Sequence, residues 1–240
     1  MRVKAVIAYD GSAYKGFQKQ NSTPKTISTA IEVALKSLGI AHAIVGSGRT
    51  DAGVHATGQV IHFDIPPFWT DLKKLKINLN RKLEDILFKH IAKVDDDFHA
   101  RFHAKKRLYR YVFKTKKPSI FEQKHISYYQ DFNPQYLQEA LDLFKGKHDF
   151  VYFHKTGSHT HTNIREIYFS HYRQKGDYHF IYFQANGFLR SQVRMMIAIS
   201  MLYAQGKCDL TMLQKQIEGQ EKHSSSLAPP EGLYLARVLY

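Results

Sequence analysis

A glycine-rich segment carries the side chains best suited to chemistry. Gly46–Gly58 reads GSGRTDAGVHATG, in which four glycines separate small and polar residues. Such a loop lets backbone approach a ligand closely and leaves Asp51 and Arg49 accessible. It is neither a P-loop nor a dinucleotide fingerprint, because no Gly-Lys-[Ser/Thr] follows and the glycine spacing differs. Asp51 is therefore a candidate catalytic carboxylate. The alternative is a solvated aspartate in a loop between two strands.

Three further residues stand out because of their surroundings. Arg194 lies in the most hydrophobic helical segment, Val193–Leu202, where an unpaired charge is costly, and this favours a buried ion pair. Tyr109 and Tyr111 are two residues apart on an aromatic strand and share one face of it. Core packing is the ordinary role for such tyrosines, so their spacing alone does not indicate a ligand platform.

Two other clusters raise the question of a metal. The histidines His148, His154, His159 and His161 lie close together, but no evident set of cysteine or carboxylate ligands accompanies them. Structural or partner-facing roles are therefore favoured over zinc. The acidic run Asp95–Asp97 would suit a metal-dependent nuclease only within a larger group of carboxylates.

The composition narrows the class of partner. The 240 residues include 35 Lys and Arg against 21 Asp and Glu, which gives a formal net charge of +14. Such an excess indicates an acidic polymer as partner. Residues 101–118 hold eight basic residues and no acidic one, interleaved with aromatic residues. Alternation along a strand would put some charges on one side and the aromatic rings on the other, which favours a sheet edge that follows phosphates and stacks bases. The single cysteine, Cys208, excludes a disulfide framework, and no segment reads as a secretory leader or membrane span, so we expect a cytoplasmic protein.

Hydrophobic periodicity predicts the elements that must position these residues. In the first half it predicts strands over Val3–Tyr9, His42–Gly46, Gly58–Ile65 and Ile86–Val94, with helices over Ile27–Leu38 and, capped by Thr70, over Leu72–Leu83. The order β-α-β-β-α-β is that of the ferredoxin-like unit.

The second half repeats this plan with additions. Strands are predicted over Leu108–Lys114, His125–Tyr129, Ile164–Tyr172, Tyr178–Gln184 and Leu233–Leu239, and helices from Pro134 after an Asn133 cap, over Val193–Leu202 and over Leu210–Ile217. The predicted fold is α/β, with two ferredoxin-like or RRM-like halves whose mainly antiparallel sheets flank a basic cleft. The predicted domains are 1–104, which contains the Asp51 loop, and 105–240.

Five stretches of the chain resemble, in order, the motifs of the tRNA pseudouridine synthases that modify the anticodon arm. The stretches are Tyr9–Gln20, Gly48–Ala56, Asp97–Phe102 followed by Arg107–Tyr111, Phe188–Arg194 and Ala228–Leu235. The most specific is Gly48–Ala56, GRTDAGVHA, and the resemblance extends over nearly the whole chain.

The resemblance implies a reaction and a set of roles. Uridines at positions 38, 39 and 40 of tRNA would be isomerised to pseudouridine without a cofactor or metal, by a homodimer that does not bind membranes. Asp51 would be the catalytic aspartate, held by Arg194. Tyr109 would stack on the target uracil, and Arg49 would contact a phosphate of the flipped nucleotide.

Two matters stay open at this point. Whether Asp51 adds covalently or removes a proton from the ribose is not decided by the sequence. A tRNA-binding module without catalytic activity is the alternative from another functional class.

Overall fold

The computed structural model describes residues 1–157 and 161–240, and within them the chain forms five α-helices and ten strands. The helices are α1 (Ile27–Lys36), α2 (Leu72–Lys82), α3 (Pro134–Asp142), α4 (Gln192–Ala204) and α5 (Leu210–Ile217). The strands are β1 (Arg2–Tyr9), β2 (Val45–Gly46), β3 (His55–Asp64), β4 (Ile86–Lys93), β5 (Lys106–Lys114), β6 (Ser127–Tyr128), β7 (Gly146–Asp149), β8 (Ile164–Lys175), β9 (Tyr178–Ala185) and β10 (Leu233–Leu239).

The chain divides into two compact units. The first comprises Met1–Lys105 together with Leu235–Tyr240, and the second comprises Lys106–Tyr234. This division differs from the predicted domains 1–104 and 105–240 in placing the last six residues with the first unit. The division into domains 1–104 and 105–240 stays a prediction.

The first unit has the strand order of a ferredoxin-like sheet. β4 pairs with β1, β1 with β3, and β3 with β2, all antiparallel, and β10 also lies beside β3. Alternate residues of β1 are buried, from Val3 to Tyr9, as expected of a strand with one face toward a core. Helix α1 buries Ile27, Ile31, Ala34 and Leu35, at the spacing of one helical face.

The second unit is also mainly antiparallel. Its sheet has the order β5-β9-β8-β7, and the short β6 runs parallel to β5. Helix α3 packs against β8 and α4. Helix α4 buries ten of its thirteen residues, which explains the continuous hydrophobicity of this segment. The mixed α/β class and the predominance of antiparallel pairs confirm the predicted fold class.

Several boundaries differ from prediction for local reasons. Asp71, not Thr70, caps α2, because its side chain accepts a hydrogen bond from the Lys74 amide. The predicted strand over His42–Gly46 shortens to Val45–Gly46. Strand β7 was not predicted, since its sequence, GKHD, lacks hydrophobic alternation.

The first and last elements agree more closely with prediction. The predicted bounds of α5 and β10 are confirmed to the residue, and β1 gains one residue, Arg2. Among the described helices, none is both long and apolar enough to cross a membrane.

Candidate active site

Asp51 lies in the loop that joins β2 to β3 in the first unit. Its side chain is half-buried, whereas Arg49, two residues earlier on the same loop, is exposed. The loop turns immediately after Asp51, where the Val54 amide donates to the Asp51 carbonyl over 3.2 Å and Gly53 adopts φ +76°. A positive φ favours glycine. The glycine-rich sequence thus places a carboxylate at a sharp turn.

A buried glutamine fixes the start of this loop. Gln59 of β3 is fully buried, and its Oε1 accepts hydrogen bonds from Ser47 Oγ at 2.6 Å and from the Val60 amide at 3.1 Å. Its Nε2 donates to the Gly48 carbonyl over 2.8 Å. The side-chain amide therefore ties the loop to the strand that follows it.

The residue before Asp51 is held through both its side chain and its backbone. The Thr50 hydroxyl lies 2.8 Å from the Tyr9 hydroxyl at the end of β1, in a buried hydrogen bond. The Thr50 carbonyl accepts from the Phe17 amide at 3.1 Å. Because Thr50 is fixed at both groups, the backbone that carries Asp51 has little freedom to move.

Three glycines allow residues 10–20 to pack directly on the Asp51 loop. A Cβ at Gly11 would lie 2.0 Å from the Val54 carbonyl oxygen, and one at Gly16 would lie 2.9 Å from the Thr50 oxygen. A Cβ at Gly46 would lie 2.5 Å from the ring of Phe17, which is 2% exposed. The two motifs form one packed structure that accepts no side chain at these points.

A buried histidine completes this packing. Nδ1 of His55, which is 1% exposed, accepts a hydrogen bond from the Gly11 amide at 3.0 Å and lies 3.2 Å from Asp10 Oδ1. Asp10 Oδ1 also accepts from the Ser12 amide at 2.9 Å. The hydrogen bond from the Gly11 amide to His55 holds the turn after β1 against the start of β3.

Tyr109 lies on β5 of the second unit, opposite Phe183 of β9. Its side chain is 8% exposed, and its ring meets Phe188 edge to face, with centroids 5.2 Å apart. Edge-to-face contact is a favourable arrangement of two aromatic rings. The ring is therefore held in one orientation.

Tyr111, two residues further along β5, is a core residue. It is 1% exposed, and its hydroxyl lies 2.8 Å from Ser127 Oγ and 3.1 Å from the Pro229 carbonyl oxygen. Burial raises the pKa of Tyr111 well above its ordinary value. The hydroxyl thus stays protonated, as a structural group does.

Arg194 lies on α4 and is half-buried. Its Nε donates to the Ala228 carbonyl over 2.7 Å, and the Ala228 amide donates back to the Arg194 carbonyl over 3.0 Å. This pair of bonds ties α4 to the segment that leads into β10. It also orients the guanidinium group.

The basic stretch 101–118 is more engaged with the protein than its composition suggests. Lys106 lies over the Tyr168 ring at 4.7 Å, Arg110 over the Tyr234 ring at 5.2 Å, and Lys114 pairs with Glu122 at 2.6 Å. Tyr111 and Phe113 of β5 face the interior, since they are 1% and 0% exposed. These two rings are therefore not available to stack on bases. The predicted sheet edge is wrong, because Phe113 of β5 pairs with both β6 and β9.

The other clusters have local partners. A ring nitrogen of His148 lies 2.9 Å from the Lys145 carbonyl, and one of His154 lies 3.2 Å from the Lys155 carbonyl. His159 lies outside the described residues. The side chains of Asp95–Asp97 are exposed.

The structure thus places the four predicted site residues in two pairs. Asp51 and Arg49 share one loop of the first unit, and Tyr109 and Arg194 lie in the second unit. The sequence did not reveal the residues that fix the loop, Tyr9, Thr50 and Gln59. The Tyr9–Thr50 bond joins positions 41 residues apart, and no local pattern identifies such a pair.

Comparison with known proteins agrees with the motifs. A family model described as tRNA pseudouridine synthase matches residues 5–103 and 140–240. A tRNA pseudouridine synthase A of Helicobacter hepaticus is 40% identical, with 99% of this chain and 98% of the relative covered. Relatives of the same name from Campylobacter jejuni and Lactococcus lactis are 36% and 35% identical, each over 100% of this chain and over 100% and 97% of their own length. The chain therefore belongs to the tRNA pseudouridine synthase family.

Proposed function

We propose that this chain isomerises uridines to pseudouridine at positions 38, 39 and 40 of the anticodon arm, with Asp51 as its catalytic group. Membership of the family makes it an isomerase that acts on uridine in tRNA. Beyond family membership, we propose the target positions in the tRNA and the residues that catalyse the reaction and bind the substrate. The observation that carries the choice of Asp51 is its position on a loop fixed from three sides, by Gln59, Tyr9 and Phe17.

The proposed chemistry needs a carboxylate at a fixed point. Pseudouridine forms when the N-glycosidic bond breaks and the ribose is rejoined to C5 of the same base; C5 then loses its proton to solvent, and N1 gains a proton. An ionised aspartate can add to the reacting group or remove a proton from the ribose. Either role requires the reacting atoms to be held within about 3 to 3.5 Å. A braced loop meets that requirement, whereas a solvated loop does not.

Tyr109, Arg49 and Arg194 are proposed to bind the substrate. A uridine inside a stem or stacked loop must be flipped out, at a cost of a few kcal/mol. Stacking of a base on an aromatic side chain contributes about 1–3 kcal/mol. Tyr109, which at 8% exposure is less buried than Tyr111 and Phe113 of the same strand, is proposed to offset that cost through the part of its ring that a base can reach. Arg49, exposed beside Asp51, suits a phosphate of the flipped nucleotide. Arg194 is held through its Nε, which presets the direction of its guanidinium group.

We further propose that the enzyme works in the cytoplasm as a homodimer and uses no cofactor. The net charge of +14 suits tRNA as the partner, because phosphates dominate the affinity of nucleic-acid complexes.

The test is tritium release from tRNA labelled at C5 of uridine. Asp51→Asn keeps the shape of the side chain and removes its charge, and Asp51→Ala removes both. We expect both variants to lose release by at least about 10³-fold and to keep tRNA affinity within a few fold, because a catalytic carboxylate acts on the chemical step.

Asp95→Asn is the matched control, since Asp95 is an exposed aspartate of the same unit, and it should keep full activity. Release that survives both Asp51 substitutions would remove Asp51 from the mechanism. Wild-type protein that binds tRNA and releases no tritium would indicate a binding module. Substrates in which cytidine replaces uridine at 38, 39 or 40 one at a time identify the positions modified.

A further inference from the structure

A tight turn between β5 and β6 presents two apolar side chains to solvent. The turn is Ser119–Glu122, and we call it the apolar turn. Ile120 is 73% exposed and Phe121 is 84% exposed, which places them among the most exposed large hydrophobic side chains of the described residues. Isolated apolar side chains on a surface are ordinary. Two adjacent and highly exposed apolar side chains at the tip of a turn are less common, and they indicate a contact with a partner.

The apolar turn is firmly built, through the carboxylate of Glu122. Glu122 Oε2 accepts hydrogen bonds from the Ser119 amide at 3.1 Å and the Ser119 hydroxyl at 3.0 Å. Its Oε1 accepts from Lys114 Nζ at 2.6 Å and the Tyr178 hydroxyl at 2.9 Å. The Lys114 hydrogen bond and the others lower the pKa of Glu122 to about 2, so the carboxylate stays ionised at neutral pH. The turn is thus anchored to strands β5 and β9.

Backbone hydrogen bonds complete the turn. The amides of Glu122 and Gln123 donate to the Ser119 carbonyl over 3.0 and 2.9 Å. The amides of His125 and Ile126 donate to the Glu122 carbonyl over 2.8 and 3.0 Å. The tip is therefore held in one shape before any partner arrives, and a preorganised tip loses little conformational entropy on binding.

The residues that flank the tip along the chain include several lysines. Lys116, Lys117 and Lys124 flank it and are exposed, whereas its one acidic residue, Glu122, is already paired with Lys114. A polyanion with flat apolar groups fits both the charge and the exposed ring, and RNA has that chemistry.

We propose that the apolar turn is an accessory tRNA contact, in which Phe121 stacks on an unpaired base and the flanking lysines contact phosphates. The contact lies outside the Asp51 loop and rests on the proposed function only for the identity of the RNA. Aromatic side chains beside basic residues are the usual platform for unpaired bases. Such a contact contributes to affinity and leaves the chemical step unchanged.

The first experiment measures the dissociation constant for a tRNA transcript by filter binding. Phe121→Ala should weaken binding about tenfold, and Phe121→Leu, which keeps the bulk but not the ring, should weaken it nearly as much. Phe121→Trp should bind at least as well as wild type. Phe68→Ala is the matched control, because Phe68 is 65% exposed in the other unit, and it should bind normally. Tritium release at saturating tRNA should be equal in all five proteins.

A second experiment reports on the ring itself. The chain has one tryptophan, Trp69, so Trp69→Phe combined with Phe121→Trp gives a protein whose only indole is at the tip. Saturating tRNA should quench its fluorescence strongly, and the tRNA-free spectrum should be that of a solvent-exposed indole.

Two results would overturn the proposal. The first is an unchanged dissociation constant for Phe121→Ala together with an unquenched tryptophan. The second is a shift in self-association, seen by sedimentation equilibrium without RNA, that accounts for any loss of binding, since this would assign the tip to a second copy of the chain. Failure of the proposed function has a different signature, in which wild type releases no tritium while Phe121→Ala still weakens tRNA binding.

Discussion

At the scale of single residues, the position of Asp51 depends on neighbouring side chains that hold its loop. Thr50 precedes Asp51, and its hydroxyl is buried against the Tyr9 hydroxyl at 2.8 Å. The net contribution of such a bond to folding is about 1 kcal/mol, but a buried group left without its partner costs about 1–3 kcal/mol. A loop that loses the bond can relax, and the position of the carboxylate relaxes with it.

We therefore expect Tyr9→Phe to slow tritium release by about tenfold with little change in the tRNA concentration for half-maximal rate, because positioning acts on the chemical step. Thr50→Val should act similarly. In the double variant both hydroxyl groups are absent. The increase in activation free energy, calculated from the rates of tritium release, should therefore be about 1 kcal/mol smaller than the sum for the two single variants.

The control for this cycle is Tyr136→Phe, which removes a tyrosine hydroxyl from an exposed side chain on α3, and it should change neither rate nor stability. Fully additive effects in the double-mutant cycle would show that Tyr9 and Thr50 do not act together.

At the scale of elements, the site is a junction between the end of β1 and the loop before β3. The segment after β1 approaches that loop so closely that Gly11 has no room for a Cβ. A methyl group in place of a hydrogen on the Gly11 Cα would therefore push the segment after β1 away from the loop before β3.

Gly11→Ala should accordingly abolish activity and destabilise the protein by more than about 3 kcal/mol, because backbone in a packed core cannot move aside cheaply. The comparison is Gly176→Ala in the β8–β9 turn, where φ is +58° and no atom lies within 4 Å of the added Cβ. That variant should lose only about 1–2 kcal/mol, the cost of the left-handed conformation for a non-glycine residue. Denaturant unfolding measures the stability of the two variants, and tritium release measures their activity. Equal effects at the two positions would mean that the close approach is not what matters.

The sequence predicts an element well where a particular residue type marks its start or end. Asn133 followed by Pro134 marks the start of α3, and the Asn133 side chain indeed accepts from the Gln135 and Tyr136 amides. The sequence predicts an element poorly where the element forms only because a neighbouring strand pairs with it. β7, with its GKHD sequence, is a strand because β8 lies beside it. In the candidate site, the motifs identify Asp51, Arg49, Tyr109 and Arg194 from the sequence. The contacts that hold the Asp51 loop join residues far apart in the chain, so they can be seen only in the folded structure.

At the scale of the whole molecule, charge governs the encounter with RNA and says little about the reaction. The net charge of +14 is spread over both halves of the sequence, and several of its members are already engaged, as Lys114 is with Glu122. The cations that remain at the surface set the affinity for a polyanion.

The affinity for tRNA should therefore fall by about 10³ to 10⁵ between 50 and 200 mM salt, the response expected when about six to ten phosphates are neutralised. Filter binding across that range gives the slope. The rate at saturating tRNA should stay nearly constant over the same range, because the reaction does not itself release counterions. An affinity independent of salt would contradict a binding surface built from lysine and arginine.

The way the chain returns to its first unit affects how the protein is made on the ribosome. Residues 235–240 belong with the first unit but follow the whole of the second in the chain. The first unit therefore cannot complete its sheet during translation until more than a hundred later residues have been made, and β3 must wait with one neighbour missing. A nonsense codon anywhere in the second unit would leave both units incomplete, so truncated products expose an unpaired strand edge, which is prone to aggregation.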